Sequence, residues 1–218
     1  MNEARQRPPI ELTRALEDSK VWLESGRTRG KPFYLAYESW PSLDLSDSVL
    51  VEATLQEADL TDGFLDGVDA TRSIANGIRL VRASLKDSTW VHAEMEHADL
   101  THAKGRGACF DRARLTGACL QGIDLNRATL RHAVCIGVDL REASLVEADL
   151  SDALLGGCDL SLADLTGAKL DGCRIDAGTR LNKAQGIESL HVSHVFTETE
   201  RLDGDAARNF LLHLREAH

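Results

Sequence analysis

Hydrophobic positions along this chain recur at a spacing of five. From Leu43 to Ile175 a small residue, a free position and usually a leucine are followed by two mostly polar residues, as in Ala53-Thr54-Leu55 and Ala113-Arg114-Leu115. About 27 consecutive boxes fit this A-x-L-x-x form, with Leu at about 19 centres and Ala at about 16 of the small positions. Leu makes up roughly a tenth of an ordinary sequence, so chance does not produce this. On an α-helix a five-residue step turns each Leu by about 140°, which smears the apolar residues around the whole surface. On a flat strand an odd period sends successive Leu to opposite faces, although the Ala and Leu of one box, two apart, point the same way.

The chain must therefore bend once per box. A short extended piece points the small residue and the Leu inward, and the last two residues turn the corner. Bends of about 90° close after four boxes, or roughly 20 residues, and successive coils stack at a strand spacing of about 4.8 Å. The pattern predicts an all-β solenoid, a quadrilateral β-helix of about seven coils, with a channel so narrow that one inward residue must be small.

The flanks break this period. Leu12, Ala15, Leu16, Ser19, Trp22 and Leu23 follow helical spacing after Pro8 and Pro9, which predicts an amphipathic helix over about 9 to 25, ended by Gly26. The aromatic stretch from Phe33 to Pro41 reads as a cap over the open first coil. After Ile175 the pattern fades, residues 187 to 196 read as an irregular or strand-like crossing, and a second helix is expected over about 204 to 216. Its Phe210, Leu211 and Leu214 need cover, either from the last coil or from a second copy. The expected organisation is an N-terminal helix and aromatic cap (1–41), the β-helix (42–177) and a capping or dimerising C-terminal segment (178–218).

Departures from Leu inside the coils fall in columns 20 residues apart. Trp90 stacks on Ala70 and Met95 on Ala75, so two oversized residues sit on two undersized ones and core volume is kept. Gly105 gives the weakest box and marks a candidate bulge. On one side Val134, Ile136 and Leu154 point outward among Gly137, Gly156 and Gly157, an unusual run of exposed aliphatics. Either the C-terminal segment folds back over them or another chain docks there. With Phe210, Leu211 and Leu214 they form the candidate interaction surface.

Composition adds charge. Of the net charge of −10 over 218 residues, about nine units belong to the repeat. An acidic rod repels nucleic acid, so direct binding to it is not expected. Sorting the outward residues by side leaves no single acidic face, and Arg79, Arg82, Lys86, Lys104, Arg106, Arg112 and Arg114 make the middle coils locally basic. No apolar run suits a bilayer span or a signal peptide, so a cytoplasmic location without membrane contact is expected. Five cysteines with no C-x-x-C pair read as free thiols. His92, His97 and His102 occupy the same outward corner position on three successive sides, so they point apart and cannot share a metal. His191-Val192-Ser193-His194 is an incomplete metal motif. No catalytic residue, metal or cofactor is expected.

The boxes Ala58-Asp59-Leu60-Thr61-Asp62, Ala98-Asp99-Leu100-Thr101, Ala148-Asp149-Leu150-Ser151-Asp152 and Ala163-Asp164-Leu165-Thr166-Gly167 resemble the repeats of the pentapeptide-repeat family. That resemblance implies a right-handed quadrilateral β-helix. Some members resemble duplex DNA in shape and charge, bind gyrase and give resistance to topoisomerase poisons, which implies a type II topoisomerase as one partner class. The alternative is a rigid scaffold or adaptor for an unrelated protein, with a homodimer through the C-terminal segment as a further expectation.

Overall fold

The five-residue spacing becomes a series of turns in the computed structural model, which describes residues 5–216. From Tyr37 to Gly172, the second residue after every centre has a positive φ, between 53° and 72°. The residue that follows donates its N–H back to the centre, as Ala58 does to the Leu55 carbonyl at 3.1 Å. Positive φ at the third position with this bond is a type II turn. Between turns, the free position bridges its equivalent twenty residues on, Tyr34 with Thr54, Thr54 with Ile74, and onward to Leu154 with Arg174, always in parallel. Four boxes thus complete each coil, and the wall has four faces.

A count of N–H groups shows why Asp belongs in the repeat. Leu55 donates to Ile74 O in the next coil (2.7 Å), Glu57 to Asn76 O (2.9 Å), Ala58 across its turn, and Asp59 to Glu38 O in the preceding coil (2.8 Å). The first turn residue of the box has no main-chain acceptor. Where the free position is Asp, its carboxylate accepts that N–H: Thr61 donates to Asp59 Oδ1 at 3.0 Å, Thr101 to Asp99 at 3.1 Å and Ser151 to Asp149 at 3.1 Å. Asp66, Asn76, Asp111 and Asn126 do the same from one coil below, for Lys86, Glu96, Arg131 and Val146. An Asx cap of this kind replaces the water that an exposed turn would otherwise need.

The channel is filled as a packed core. Ala70, Ala75, Trp90 and Met95 are all fully buried. Trp90 stacks on Phe110 of the next coil, ring centroids 6.4 Å apart and planes 10° apart. Its indole N–H donates to Ser88 Oγ at 3.0 Å, and that hydroxyl donates to Leu85 O, so the buried polar atom is satisfied. Gly105 is not a bulge. The ladder passes through it unbroken from Ser84 to Lys104 to Asp124, and a Cβ there would lie 3.1 Å from Leu125 Cδ2, whose side chain takes the space.

The ladder reaches beyond 42 and 177 at both ends. Phe33 and Leu35 point inward and are buried, so the aromatic stretch builds a coil of its own rather than a lid, and Tyr34 and Tyr37 point outward. The lid is helix α1 (Ile10–Glu24), whose Leu12 and Ser19 are buried, together with Gln6, which bridges Leu43. At the other end the offset grows from twenty to twenty-one at Asp159–Arg180 and to twenty-two at Lys169–His191. Extra residues near Gly178 and in the 3-10 turn Ile187–Ser189 absorb the slip. Strand β1 (Cys173–Arg174) then pairs in parallel with β2 (His194–Phe196), which pairs antiparallel with β3 (Arg201–Asp203).

Helix α2 (Gly204–Glu216) closes this end. Ala207, Leu211 and Leu214 are buried, and Leu211 seals the channel over Leu155, Leu160 and Leu181. Arg215 Nη1 pairs with Glu188 at 2.8 Å and pins the helix to the 3-10 turn. Leu211 and Leu214, expected on an interaction surface, are therefore part of the core, because the last coil otherwise exposes an open apolar channel. Phe210 is half-buried beside them. Among the described residues no helix is long and apolar enough to cross a membrane.

Candidate docking face

Each face carries one vertical column of free positions. Face 1 runs through Asp69, Cys109 and Asp149, face 3 through Asp59, Asp99, Asp139 and Asp159, and face 4 through Asp44, Asp124 and Asp164. Face 2 is the column Tyr34, Thr54, Ile74, Glu94, Arg114, Val134, Leu154, Arg174 and Phe196. The Asx caps divide unequally. Asp69 and Asp149 cap turns on face 1, Asp59, Asp99, Asp139 and Asp159 on face 3, and Asp44, Asp124 and Asp164 on face 4. Face 2 has no Asp in its column, and its free positions go instead to aliphatic, aromatic, threonine and other charged residues.

The structure brings Val134, Ile136 and Leu154 together. Val134 and Leu154 bridge as neighbours on face 2, and Ile136 at the adjoining corner is 46% exposed. The C-terminal segment does come back toward them but stops at their edge. Residues 196 to 198 overhang an open groove of about 290 Å³ lined by Ile136, Leu154, Gly156, Arg174, Asp176 and Phe196. Arg174 holds its guanidinium 5.5 Å from the Phe196 ring centre, and His194 meets that ring edge-on, also at 5.5 Å. Gly156 leaves part of the floor without a side chain. Leu211 lies apart from this groove at the closed end of the channel and Leu214 is buried, whereas Phe210 lines a neighbouring pocket that shares Asp176, Thr197 and Glu198 with the groove.

On the other faces the charges are engaged. Partial burial works against ionisation of Asp59 and Asp149, but hydrogen bonds from Thr61 and Ser151 and the nearby charges of Arg79 and Lys169 outweigh it, so both carboxyls sit below their ordinary value. The Arg141 hydrogen bond, against partial burial, lowers Asp139 in the same way. Ion pairs also climb between coils, Arg82 to Asp62 and Arg131 to Asp111, both at 2.6 Å. In the basic middle coils Arg82 is paired, and on face 2 itself Arg114 is paired with Glu96 of its own chain. His92, His97 and His102 sit at three successive corners. Burial pushes the Cys135 thiol well up and Cys158 up to about 12, leaving both protonated and unreactive.

Sequence reasoning placed Val134, Ile136 and Leu154 but missed Tyr34, Tyr37 and Phe196 as members of the same face. A usable signal existed: Phe33 and Leu35 fall in the frame of Ala53 and Leu55, which puts Tyr34 under Thr54. Phe196 carried no such signal, because two extra residues had already shifted its frame.

The family model described as "Pentapeptide repeats (8 copies)" matches residues 78–117, 108–145 and 143–176. This chain belongs to the pentapeptide-repeat family. Its solenoid is accordingly a right-handed β-helix. Among solved structures, the protein is similar to full-length QnrB1, a plasmid-mediated fluoroquinolone resistance protein, at 18% identity over 76% of this chain and 84% of that one, with a TM-score of 0.50. It is also similar to alr5209, a pentapeptide-repeat protein from Nostoc PCC 7120, at 31% identity over 43% of this chain and 84% of that one, with a TM-score of 0.22. HetL, a pentapeptide-repeat protein involved in heterocyst differentiation regulation in Nostoc sp. strain PCC 7120, shares 23% identity over 83% of this chain and 95% of that one, with a TM-score of 0.41. The QnrB1 likeness carries the fold alone. No curated protein matches the chain.

Proposed function

We propose that this pentapeptide-repeat protein is a non-catalytic binding scaffold that engages a protein partner through face 2. The observation that carries the reading is the uneven use of Asp. Faces 1, 3 and 4 use two, four and three of their free positions to cap turns, while no free position of face 2 does so and the face presents Ile74, Val134 and Leu154, ending in an open groove. Exposed apolar area with no role in the fold is the usual mark of a docking surface. The test compares resin carrying the full chain with resin carrying Ile136→Asp/Leu154→Asp, for polypeptides retained from extracts of the source cells. Retention lost on the variant supports face 2; the same set on both resins rejects it.

A second reading, an acidic duplex-DNA mimic that engages a type II topoisomerase, draws on the net charge of −10 and on the Asp columns of faces 1, 3 and 4. A mimic of useful length is favoured by an end-to-end dimer that doubles the rod, and here α2 folds its apolar side onto its own last coil. A gyrase supercoiling assay at micromolar protein, with and without a quinolone, separates the readings. Inhibition or protection supports mimicry, and neither effect leaves the scaffold.

A further inference from the structure

The column of free positions on face 2 is self-complementary when read against its own reverse, and we infer that the face pairs with a second copy of this chain, the two towers antiparallel. This rests on reading face 2 as the docking wall and names what docks there. Two copies placed face to face by a two-fold axis across the towers, level with the midpoint between Glu94 and Arg114, bring Glu94 of one copy opposite Arg114 of the other, twice. The same operation sets Ile74 against Val134, Thr54 against Leu154 and Tyr34 against Arg174. Charge meets opposite charge, Ile meets Val, the Thr54 methyl meets Leu, and an aromatic ring meets a guanidinium.

The register is selective. Moving the axis to Arg114 or to Glu94 opposes like charges, and moving it between Arg114 and Val134 sets Glu94 against Leu154 and leaves the carboxylate without a partner. A parallel arrangement puts Glu94 on Glu94 and Arg114 on Arg114. Each alternative carries a repulsion or an unpaired charge that the inferred one lacks, which is how an interface rejects wrong registers.

The ends of the face fit as well as its middle. The chain has two tyrosines, and Tyr34 and Tyr37 are 59% and 63% exposed at the N-terminal end of this face. The inferred operation brings them to the opposite end of the other copy. There the groove of about 290 Å³, floored by Gly156 and bordered by Arg174 and Phe196, is open to receive aromatic rings. Aromatic anchors that fill a pocket are the contacts that dominate interface energetics. One surface of the chain thus carries both the plug and the socket.

Sedimentation velocity of the full chain over roughly 1 to 100 µM tests this, since mass action makes a self-association visible as a rising mass. A dimer is expected. Glu94→Arg and Arg114→Glu, made singly, each place like charges opposite one another and are expected to raise the dissociation constant about tenfold or more, while the double Glu94→Arg/Arg114→Glu restores association. Both sites are exposed, and thermal melts of the variants confirm folding. Ile74→Cys combined with Val134→Cys should form an intermolecular disulfide under mild oxidation, because within one chain those positions are three coils, about 14 Å, apart. A monomer at every concentration, or a dimer indifferent to the charge reversals, overturns the inference. If the protein is monomeric yet still captures other polypeptides only when Ile136 and Leu154 are intact, face 2 remains a docking wall for a different partner. If capture is equally insensitive to that face, both readings fall.

Discussion

Faces 2 and 3 are built on the same backbone, with the same type II turns and the same parallel ladder, yet their outward residues do different work. On face 3, Asp59, Asp99, Asp139 and Asp159 accept turn N–H groups, and Arg141 reaches back to Asp139 at 2.6 Å. On face 2 the equivalent positions hold Ile74, Val134 and Leu154, which cap nothing. The β-helix stands because inward Leu and Ala fill the channel; the outward column only adjusts its stability. A face can therefore be released for binding at the cost of a few turn caps, and we propose that face 2 is the one released.

The apolar residues of α2 belong either with face 2 or with the core, and a charge at Leu211 tells the two apart. Leu211→Asp buries a charge over the channel and should cost about 3 kcal/mol or more, read as a lower midpoint in urea unfolding. A variant as stable as the parent would return α2 to the candidate surface. Acid is the next largest probe. Asp44, Asp59, Asp111, Asp139 and Asp149 all have carboxyls held below their ordinary value, so they release protons more readily folded than unfolded. Their stabilisation is complete above the unfolded carboxyl value of about 3.9 and disappears as the pH falls through the lower folded values. Melting temperature should hold from pH 7 to about 5 and drop steeply below about 4; a flat profile to pH 2.5 contradicts the role given to these groups. The smallest effect separates capping from charge. Asp99→Ala leaves the Thr101 N–H without its acceptor and should cost about 1 kcal/mol, whereas Asp99→Asn keeps an acceptor oxygen and should recover most of the loss.

The sequence made the coil legible because its core is written as a strict period: the centres from Leu45 to Ile175 recur in frame, and even the exchange of Trp90 for Ala70 follows the columns. It also pointed to Val134, Ile136 and Leu154, since aliphatics at free positions stand out against Asp and Thr. Two kinds of feature stayed hidden. Phe33 and Leu35 are in frame, but Phe at a small position disguises the first coil. At the far end, two extra residues shift Phe196 away from Arg174 in number while the fold keeps them paired. The fate of Leu211 was equally open, because an amphipathic helix needs an apolar neighbour and its sequence does not say which.

The division of labour between faces is tested most directly by a crossed pair of variants, each assayed for melting temperature and for association. Asp99→Ala/Asp139→Ala on face 3 and Ile136→Asp/Leu154→Asp on face 2 are compared with the parent, with melting recorded at a concentration low enough to keep each protein monomeric. The account predicts opposite outcomes: the face 3 variant melts earlier and still associates, and the face 2 variant melts within about 0.5 kcal/mol of the parent and no longer associates. A face 2 variant that loses stability, or a face 3 variant that loses association while the face 2 variant keeps it, would contradict the claim that face 2 is free of the fold and reserved for docking.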